Sequence, residues 1–124
     1  MATTKEILHS IRIQGNNGNF GTIAARDFTR QLNFEQLTEK TIDVPSTMIN
    51  EHIDFTGFTN GYATFVFLRG ELSEITVRLN SPSADIYTIP AGGMVMLSGT
   101  GVTGLYLSGQ PAGDARVHVI AAGD

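Results

Sequence analysis

Short apolar runs, separated by turn-forming residues, dominate the chain from residue 49 onward. The stretch 62–68 is apolar on both alternating faces, which is typical of a central strand covered on each side. In the stretch 75–79 apolar and polar residues alternate, which indicates a strand with one buried face. Gly70 and Glu71 lie between these runs and predict a tight turn that pairs the two strands as a hairpin.

Proline and glycine divide the rest of the C-terminal half into further predicted strands. Pro90 ends one apolar run, and a pair of glycines precedes the next. The strands predicted here are 86–89, 94–97, 102–107 and 116–121. Strands that recur roughly every 8–12 residues are typical of β-sandwiches and barrels.

The first third of the chain has a less regular pattern. Three isoleucines between residues 7 and 13 alternate with other residues, which favours a strand. Phe28 and Leu32 are spaced as in a helical turn, but the polar residues that follow them are poor helix formers. We therefore predict that residues 14–37 form a loop or an extended arm, with at most one helical turn.

Two more strands, predicted at 40–44 and 53–55, bring the count to about eight short strands. Strands and helices do not alternate along the chain, which disfavours a parallel α/β sheet. We expect an all-β fold: an antiparallel β-sandwich, with the jelly roll as one form of it, and an irregular N-terminal arm or loop. At 124 residues the chain has a common size for one domain, so a single β-sandwich domain is predicted over residues 1–124.

Composition and charge narrow the range of partners. The net charge is −4 and the eight Lys and Arg residues are dispersed, with no two adjacent, which argues against binding to nucleic acid. Cysteine is absent, which removes disulfides and thiolate ligands and fits a reducing compartment. No signal-peptide pattern follows Met1, and no apolar run approaches the roughly 20 residues of a membrane helix. We expect synthesis in the cytosol and no membrane partner.

Residues that could catalyse a reaction or bind a metal do not form recognisable motifs. His9, His52 and His118 lie far apart, and solvent-facing histidines are a better interpretation than a metal site that all three would share. No serine lies in a G-x-S-x-G motif. The segment 99–104 reads G-x-G-x-x-G, but a strand follows it, whereas a dinucleotide site needs a helix there. We predict no enzymatic activity, no catalytic residue, no metal or cofactor site and no small-molecule substrate.

Apolar residues of weak periodicity between residues 20 and 34 point to contact with another protein. Such segments can become ordered on a partner, or their strand edges can pair across subunits. An ordinary loop that closes one end of the sandwich explains them equally well. The residues predicted to bind a partner are Phe20, Phe28, Leu32 and Phe34.

Four segments of the C-terminal half carry a resemblance to a known class of proteins. They are RGELSEITVRL at 69–79, YTIPAGGMVML at 87–97, VTGLYLS at 102–108 and ARVHVIAAG at 115–123. Together they resemble the small structural proteins of tailed bacteriophages. The resemblance implies a virion protein that cements or decorates the outside of a capsid, with the major capsid protein and further copies of itself, as a dimer or trimer, as partners. It carries over no functional residue.

Two other functions stay open from the sequence. One is a component of a phage tail, fibre or baseplate, which is also an assembly role. The other is a carbohydrate- or small-ligand-binding β-sandwich, in which exposed aromatic rings such as Tyr62, Tyr87 or Tyr106 would stack against the ligand. The absence of tryptophan weakens the carbohydrate hypothesis.

Overall fold

The computed structural model describes residues 5–17 and 21–124, with side chains from residue 34 onward except at residue 100. Within these residues the chain forms ten β-strands. The described residues form no helix that could span a membrane. The strands are β1 (Lys5–Asn17), β2 (Gly21–Phe34), β3 (Gln36–Val44), β4 (Glu51–Asp54), β5 (Ala63–Glu71), β6 (Ile75–Leu79), β7 (Ile86–Ile89), β8 (Met94–Val102), β9 (Gly104–Ser108) and β10 (Ala115–Gly123). The predicted all-β class is confirmed.

The chain divides into two compact units, Met1–Phe34 and Glu35–Asp124. In the first unit β1 and β2 pair as a two-stranded antiparallel sheet, which we call the ribbon. The second unit contains the other eight strands. That residues 1–124 form a single domain stays a prediction.

The eight strands of the second unit form two four-stranded antiparallel sheets. One has the order β3-β10-β5-β8 and the other the order β4-β9-β6-β7. Of the strands that follow each other in sequence, β6 and β7 alone are neighbours in one of these two sheets. This arrangement is that of a jelly roll, which confirms the predicted antiparallel sandwich.

The space between the two sheets holds the hydrophobic core. Val66 and Val117 from one sheet, and Leu105 and Leu107 from the other, are each at most 1% exposed. Burial of one such side chain stabilises the fold by roughly 1.5–3 kcal/mol. Among the described side chains none that is polar or charged is fully buried. The core is therefore aliphatic and aromatic throughout the described residues.

Two local predictions are wrong. The runs 62–68 and 75–79 do not form a hairpin, because β5 and β6 belong to different sheets and β6 pairs with β7 and β9. The turn between them contains Leu72 at φ +73°, a left-handed conformation that redirects the chain to the opposite sheet. The pattern of apolar residues identified each strand but did not specify its partner.

The predicted loop over residues 14–37 is also wrong where the structure describes it. β1 continues to Asn17, residues 21–34 form β2, and β3 begins at Gln36. The ribbon is paired from Lys5 opposite Phe34 to Asn17 opposite Gly21, so that backbone hydrogen bonds stabilise a segment of weak hydrophobic pattern. The extended arm of the sequence prediction is thus a paired β-ribbon, with one shift of register between Ile13 and Gly15.

Candidate protein-binding surfaces

The register of the ribbon brings three of the four predicted partner-binding residues to one face. Phe28 lies opposite Ile11, and Leu32 lies opposite Ile7. Phe34 is two residues further along β2, and alternate residues of a strand share a face. The fourth, Phe20, lies outside the described residues. This face of the ribbon therefore carries large apolar residues, with Arg30 between Phe28 and Leu32.

The opposite face of the ribbon is polar in sequence. Its cross-strand pairs include Ser10 with Thr29 and Arg12 with Asp27. A two-stranded ribbon is marginally stable in water unless another surface covers its apolar face. The apolar face of the ribbon is thus the strongest candidate for a surface that needs a neighbour.

Phe34 differs from the other predicted contact residues because its side chain is described. It is 3% exposed, so its ring belongs to the interior of the chain. A buried phenylalanine contributes to folding stability and not directly to an accessible surface. Phe28 and Leu32 are therefore the better residues for testing contact with a partner.

A groove opens along one side of the jelly roll, between the edge strands β3 and β4. Its volume is about 260 Å³. Lys40 on β3 lies opposite Val119, and Asp54 ends β4. The groove is lined by Gln36, Leu37, Thr38, Lys40, Ile53, Asp54, Phe55, Gly57, Phe58 and Val119. It therefore combines a cation, a carboxylate and aromatic rings at one opening.

Asp54 provides a fixed negative charge at this groove. Its Oδ1 accepts hydrogen bonds from the Thr56 hydroxyl at 2.7 Å and from the Thr56 backbone N–H at 2.9 Å. These bonds, with a smaller contribution from the charge of His52, lower the pKa of Asp54 because they stabilise its ionised form. The carboxylate is therefore ionised at neutral pH.

The two histidines whose side chains are described lie on the outer faces of different sheets. The ring of His52 stacks on Tyr106, with ring centroids 4.4 Å apart and planes inclined by 2°. His118 Nε2 is 2.8 Å from Glu39 Oε1, and its Nδ1 is 3.2 Å from the hydroxyl of Thr41. The side chain of His9 lies outside the described part of the chain.

The glycine-rich segment 99–104 includes the end of β8, Thr103 and the first residue of β9. No helix begins after it, but the interpretation of these glycines as a hairpin turn is wrong, because Gly99 and Gly101 lie within β8 and because β8 and β9 belong to different sheets. Gly104 itself pairs with Asp54 of β4. A dinucleotide cradle is therefore not formed here.

Sequence reasoning named Tyr87 as an exposed ring but missed the exposed apolar edge to which it belongs. Ile86 and Tyr87 of β7 are 52% and 54% exposed, and Met94 at the start of β8 is 65% exposed. The strand at 86–89 was predicted, but its position at the edge of a sheet depends on the pairing of distant strands. The uncharged sequence of β7 was the available signal.

The chain has no match among family models, and no curated protein is significantly similar to it. Among solved structures it resembles the cobalt(II) form of HppE in complex with Tris buffer, at 14% identity and a TM-score of 0.53. That match covers 70% of this chain and 46% of HppE, so this chain spans less than half the length of HppE. The cupin domain of Schizosaccharomyces pombe Cnp3 matches at 12% identity and a TM-score of 0.44, over 93% of this chain and 84% of that domain. At these identities the likeness concerns the fold alone.

The HppE structure contains cobalt, and a metal site needs converging nitrogen, oxygen or sulfur donors. In this chain the residues that face each other between the sheets are hydrophobic, as Val66, Leu107 and Val117 illustrate. Within the described residues no group of three His, Cys, Asp or Glu side chains could hold an ion. The described side chains therefore do not fit a metal in the core.

Proposed function

We propose that this chain is a structural protein of a tailed-bacteriophage virion, which binds the outside of the capsid and cements or decorates the shell of the major capsid protein. The amphipathic sequence of the ribbon carries the proposal, because its apolar face needs cover from another surface. The resemblance of residues 61–123 to small phage structural proteins and the jelly-roll topology support it.

The proposed role is not enzymatic. It is supported by the core between the two sheets, in which every buried side chain of the described residues is hydrophobic. The described histidines are engaged on outer faces, one with an aromatic ring and one with a carboxylate. In a binding role, residues on the surfaces of the jelly roll and of the ribbon contact the partner, and the core residues stabilise the fold.

In the proposed mechanism, the face of the ribbon that carries Phe28 and Leu32 lies on neighbouring subunits of the shell. Burial of apolar area across a joint between subunits would oppose the opening of that joint. Roughly 25 cal/mol is gained per Å² of apolar surface removed from water, so a few large side chains at each of many joints stabilise a shell. Further copies of the chain would act in the same way at equivalent joints.

Cosedimentation with capsids tests this function directly. The full chain is mixed with shells of the major capsid protein of the same virus, and the bound fraction is measured before and after shell expansion. We expect saturable binding and a higher temperature of shell disruption when the chain is bound. Absence of binding to either form of the shell would overturn the capsid proposal.

Two neighbouring substitutions on the ribbon provide a matched pair for this test. Phe28→Asp places a charge on the apolar face, and Thr29→Asp places the same charge on the polar face. We expect Phe28→Asp to weaken binding by at least about tenfold, since each 1.4 kcal/mol changes affinity tenfold. Thr29→Asp should bind as the natural chain does. Equal effects of the two would show that this face of the ribbon does not contact the shell.

The groove between β3 and β4 favours a second candidate function, the binding of a small ligand. Lys40, Asp54 and Phe58 offer a cation, an anion and an aromatic ring to a polar molecule within about 260 Å³. Pockets for small ligands commonly combine apolar walls with a few polar groups. This arrangement suits a sugar or a small zwitterion better than a large apolar ligand.

Nuclear magnetic resonance titration with a panel of neutral and charged monosaccharides and amino acids tests this second candidate. We expect a binder to shift the amide signals around Lys40 and Asp54, and Lys40→Glu to abolish the shifts. Thr41→Glu, on the opposite face of the same strand, is the control. Unchanged spectra across the panel would remove the ligand-binding hypothesis for this groove.

A further inference from the structure

The two sheets of the jelly roll have four edge strands, and these differ in how well they are protected against pairing with another chain. β3 and β8 are the edges of one sheet, and β4 and β7 are the edges of the other. Charged residues commonly protect an edge, since its backbone N–H and C=O groups otherwise pair with any extended strand. β3 contains Glu39, Lys40 and Asp43, and β4 contains Glu51 and Asp54. β7 and β8 contain no charged residue.

The two uncharged edges differ in regularity. The pairing of β8 with β5 shifts register between Ala63 and Phe65, and Gly99 of β8 has φ +85°. Irregularities of this kind bend an edge away from an incoming strand. β7 pairs with β6 without interruption, from Ile75 opposite Ile89 to Arg78 opposite Ile86. Among the described edges β7 is thus both uncharged and regular.

The side chains of β7 are unusually exposed for an apolar strand. Tyr87 lies opposite Val77 on β6, a core residue that is 1% exposed, yet Tyr87 is 54% exposed. It stands at a narrow opening of about 60 Å³ between β7 and β8, whose other lining residues are all aliphatic. On the other face Ile86 is 52% exposed. Both faces of this edge therefore present apolar surface to solvent.

We propose that β7 pairs antiparallel with β7 of a second copy of the chain, so that one sheet continues across a twofold axis. In the register centred on Tyr87, its ring meets the same ring of the second copy, and Ile86 lies opposite Thr88. Aromatic and β-branched cross-strand pairs stabilise antiparallel sheets. Self-pairing through β4 would instead bring the acidic side chains of two copies close together.

The absence of charge on β7 favours a second copy of the chain as its pairing partner. A strand that pairs with itself about a twofold axis must tolerate its own charges, and the four residues of β7 bring none. The inference rests on the proposed function, because it identifies the surface through which copies of the proposed capsid-binding protein associate. Four residues form an interface below the standard size, so we expect a dissociation constant on the order of 100 µM.

Sedimentation equilibrium of the full chain, from about 10 µM to about 1 mM, tests the proposed pairing across the expected dissociation constant. The average mass should rise with concentration from 13.3 kDa toward twice that value. Amide hydrogen exchange at high concentration should slow in β7 and not in β3 or β4. A mass that stays at the monomer value at the highest concentration would overturn the inference.

A pair of lysine substitutions separates the edges. Thr88→Lys places a charge on β7, and Thr41→Lys places the same charge at an exposed position of β3. We expect Thr88→Lys to raise the dissociation constant by at least about tenfold and Thr41→Lys to change it less than about twofold. Equal effects would also overturn the inference. A monomer that still binds capsid shells would leave the proposed function standing, whereas a β7 dimer that binds no shell would refute that function alone.

Discussion

Gly104 lies so close to His52 that a Cβ atom at this position would stand 2.5 Å from His52 Nε2. The carbonyl oxygen of Ile53 would be 3.0 Å from the same Cβ. His52 in turn stacks on Tyr106, the second residue after Gly104 along β9. The absence of a side chain at residue 104 therefore allows the histidine ring to lie flat across the pairing of β4 with β9.

We expect Gly104→Ala to lower the free energy of unfolding by about 1–3 kcal/mol, the usual cost of overpacking. The histidine ring can rotate away, but the Ile53 carbonyl belongs to the backbone and is held in its strand. Chemical denaturation measures the change. Gly57→Ala is the control, because a Cβ there would meet nothing within 4 Å. Equal stability of the two variants would contradict the close approach at Gly104.

Leu72 has a backbone conformation that its residue type disfavours. Its φ is +73°, and its side chain is 71% exposed, so the surrounding fold gains little from leucine at this position. The left-handed region costs a non-glycine residue roughly 1–2 kcal/mol. Glycine relieves this strain, but it also gives the unfolded chain more conformational freedom, which offsets part of the gain in stability. We therefore expect Leu72→Gly to raise the free energy of unfolding by about 0.5–1 kcal/mol.

Leu72→Ala separates strain from the loss of the side chain. Alanine removes the exposed leucine but keeps the Cβ atom that makes this φ unfavourable. We therefore expect Leu72→Ala to be as stable as the natural chain, within about 0.5 kcal/mol. Chemical denaturation of both variants measures the difference. A gain in stability for alanine as large as that for glycine would show that strain is not the cause.

Elements with clear alternation could be predicted from the sequence. In β6, and in β10 as far as Ala121, the residues at every second position face the core. In β2, Arg26 and Arg30 occupy the same alternate positions as Phe28 and Leu32, so the apolar row is broken in sequence. Pairing with β1 on both sides of one register shift determines the conformation of β2, and a local pattern contains no information on that pairing.

The candidate surfaces were predicted less completely than the strands. Phe28 and Leu32 were chosen from their apolar character, and the register then placed them on one face. The groove could not be predicted, because Lys40 and Asp54 belong to different sheets that only the jelly-roll topology brings together. The same holds for the exposed edge at β7, whose neighbours come from distant parts of the sequence.

Thr56 controls the ionisation of Asp54, and this predicts a dependence of stability on pH. The pKa of Asp54 in the folded chain lies below its ordinary value of 3.8, chiefly because of the Thr56 hydroxyl. A carboxylate whose pKa is lower in the folded than in the unfolded chain stabilises the fold at pH values above its unfolded pKa. This stabilisation is lost as the pH falls through its folded pKa. Thr56→Val removes one donor and leaves the backbone N–H. We therefore expect the pKa of Asp54 to rise part of the way toward 3.8.

Nuclear magnetic resonance titration of the Asp54 side chain measures this pKa directly. The natural chain and Thr56→Val should differ most in stability near neutral pH, and the difference should shrink below about pH 4, where the carboxylate becomes protonated in both states. Thr56→Ser keeps the hydroxyl and should titrate as the natural chain does. An Asp54 pKa that is the same in Thr56→Val and Thr56→Ser would show that the hydroxyl bond does not set the ionisation.

Asn80 combines two roles at the end of β6, and substitutions can separate them. Its φ is +67°, and its Oδ1 accepts hydrogen bonds from the Thr103 backbone N–H at 2.8 Å and from the Thr103 hydroxyl at 3.2 Å. Asn80→Gly keeps the conformation and loses both bonds, which should cost about 0.5–1.5 kcal/mol. Asn80→Ala also introduces strain at this φ, which should add about 1 kcal/mol.

The order of stability expected in chemical denaturation is the natural chain, then Asn80→Gly, then Asn80→Ala. Asn80→Asp is the control that keeps an acceptor oxygen and a residue type that tolerates positive φ, so it should stay within about 0.5 kcal/mol of the natural chain. If Asn80→Ala were as stable as Asn80→Gly, the left-handed backbone would not be required there. If Asn80→Asp were as unstable as Asn80→Gly, the bonds to Thr103 would not stabilise the junction between β6 and the segment before β9.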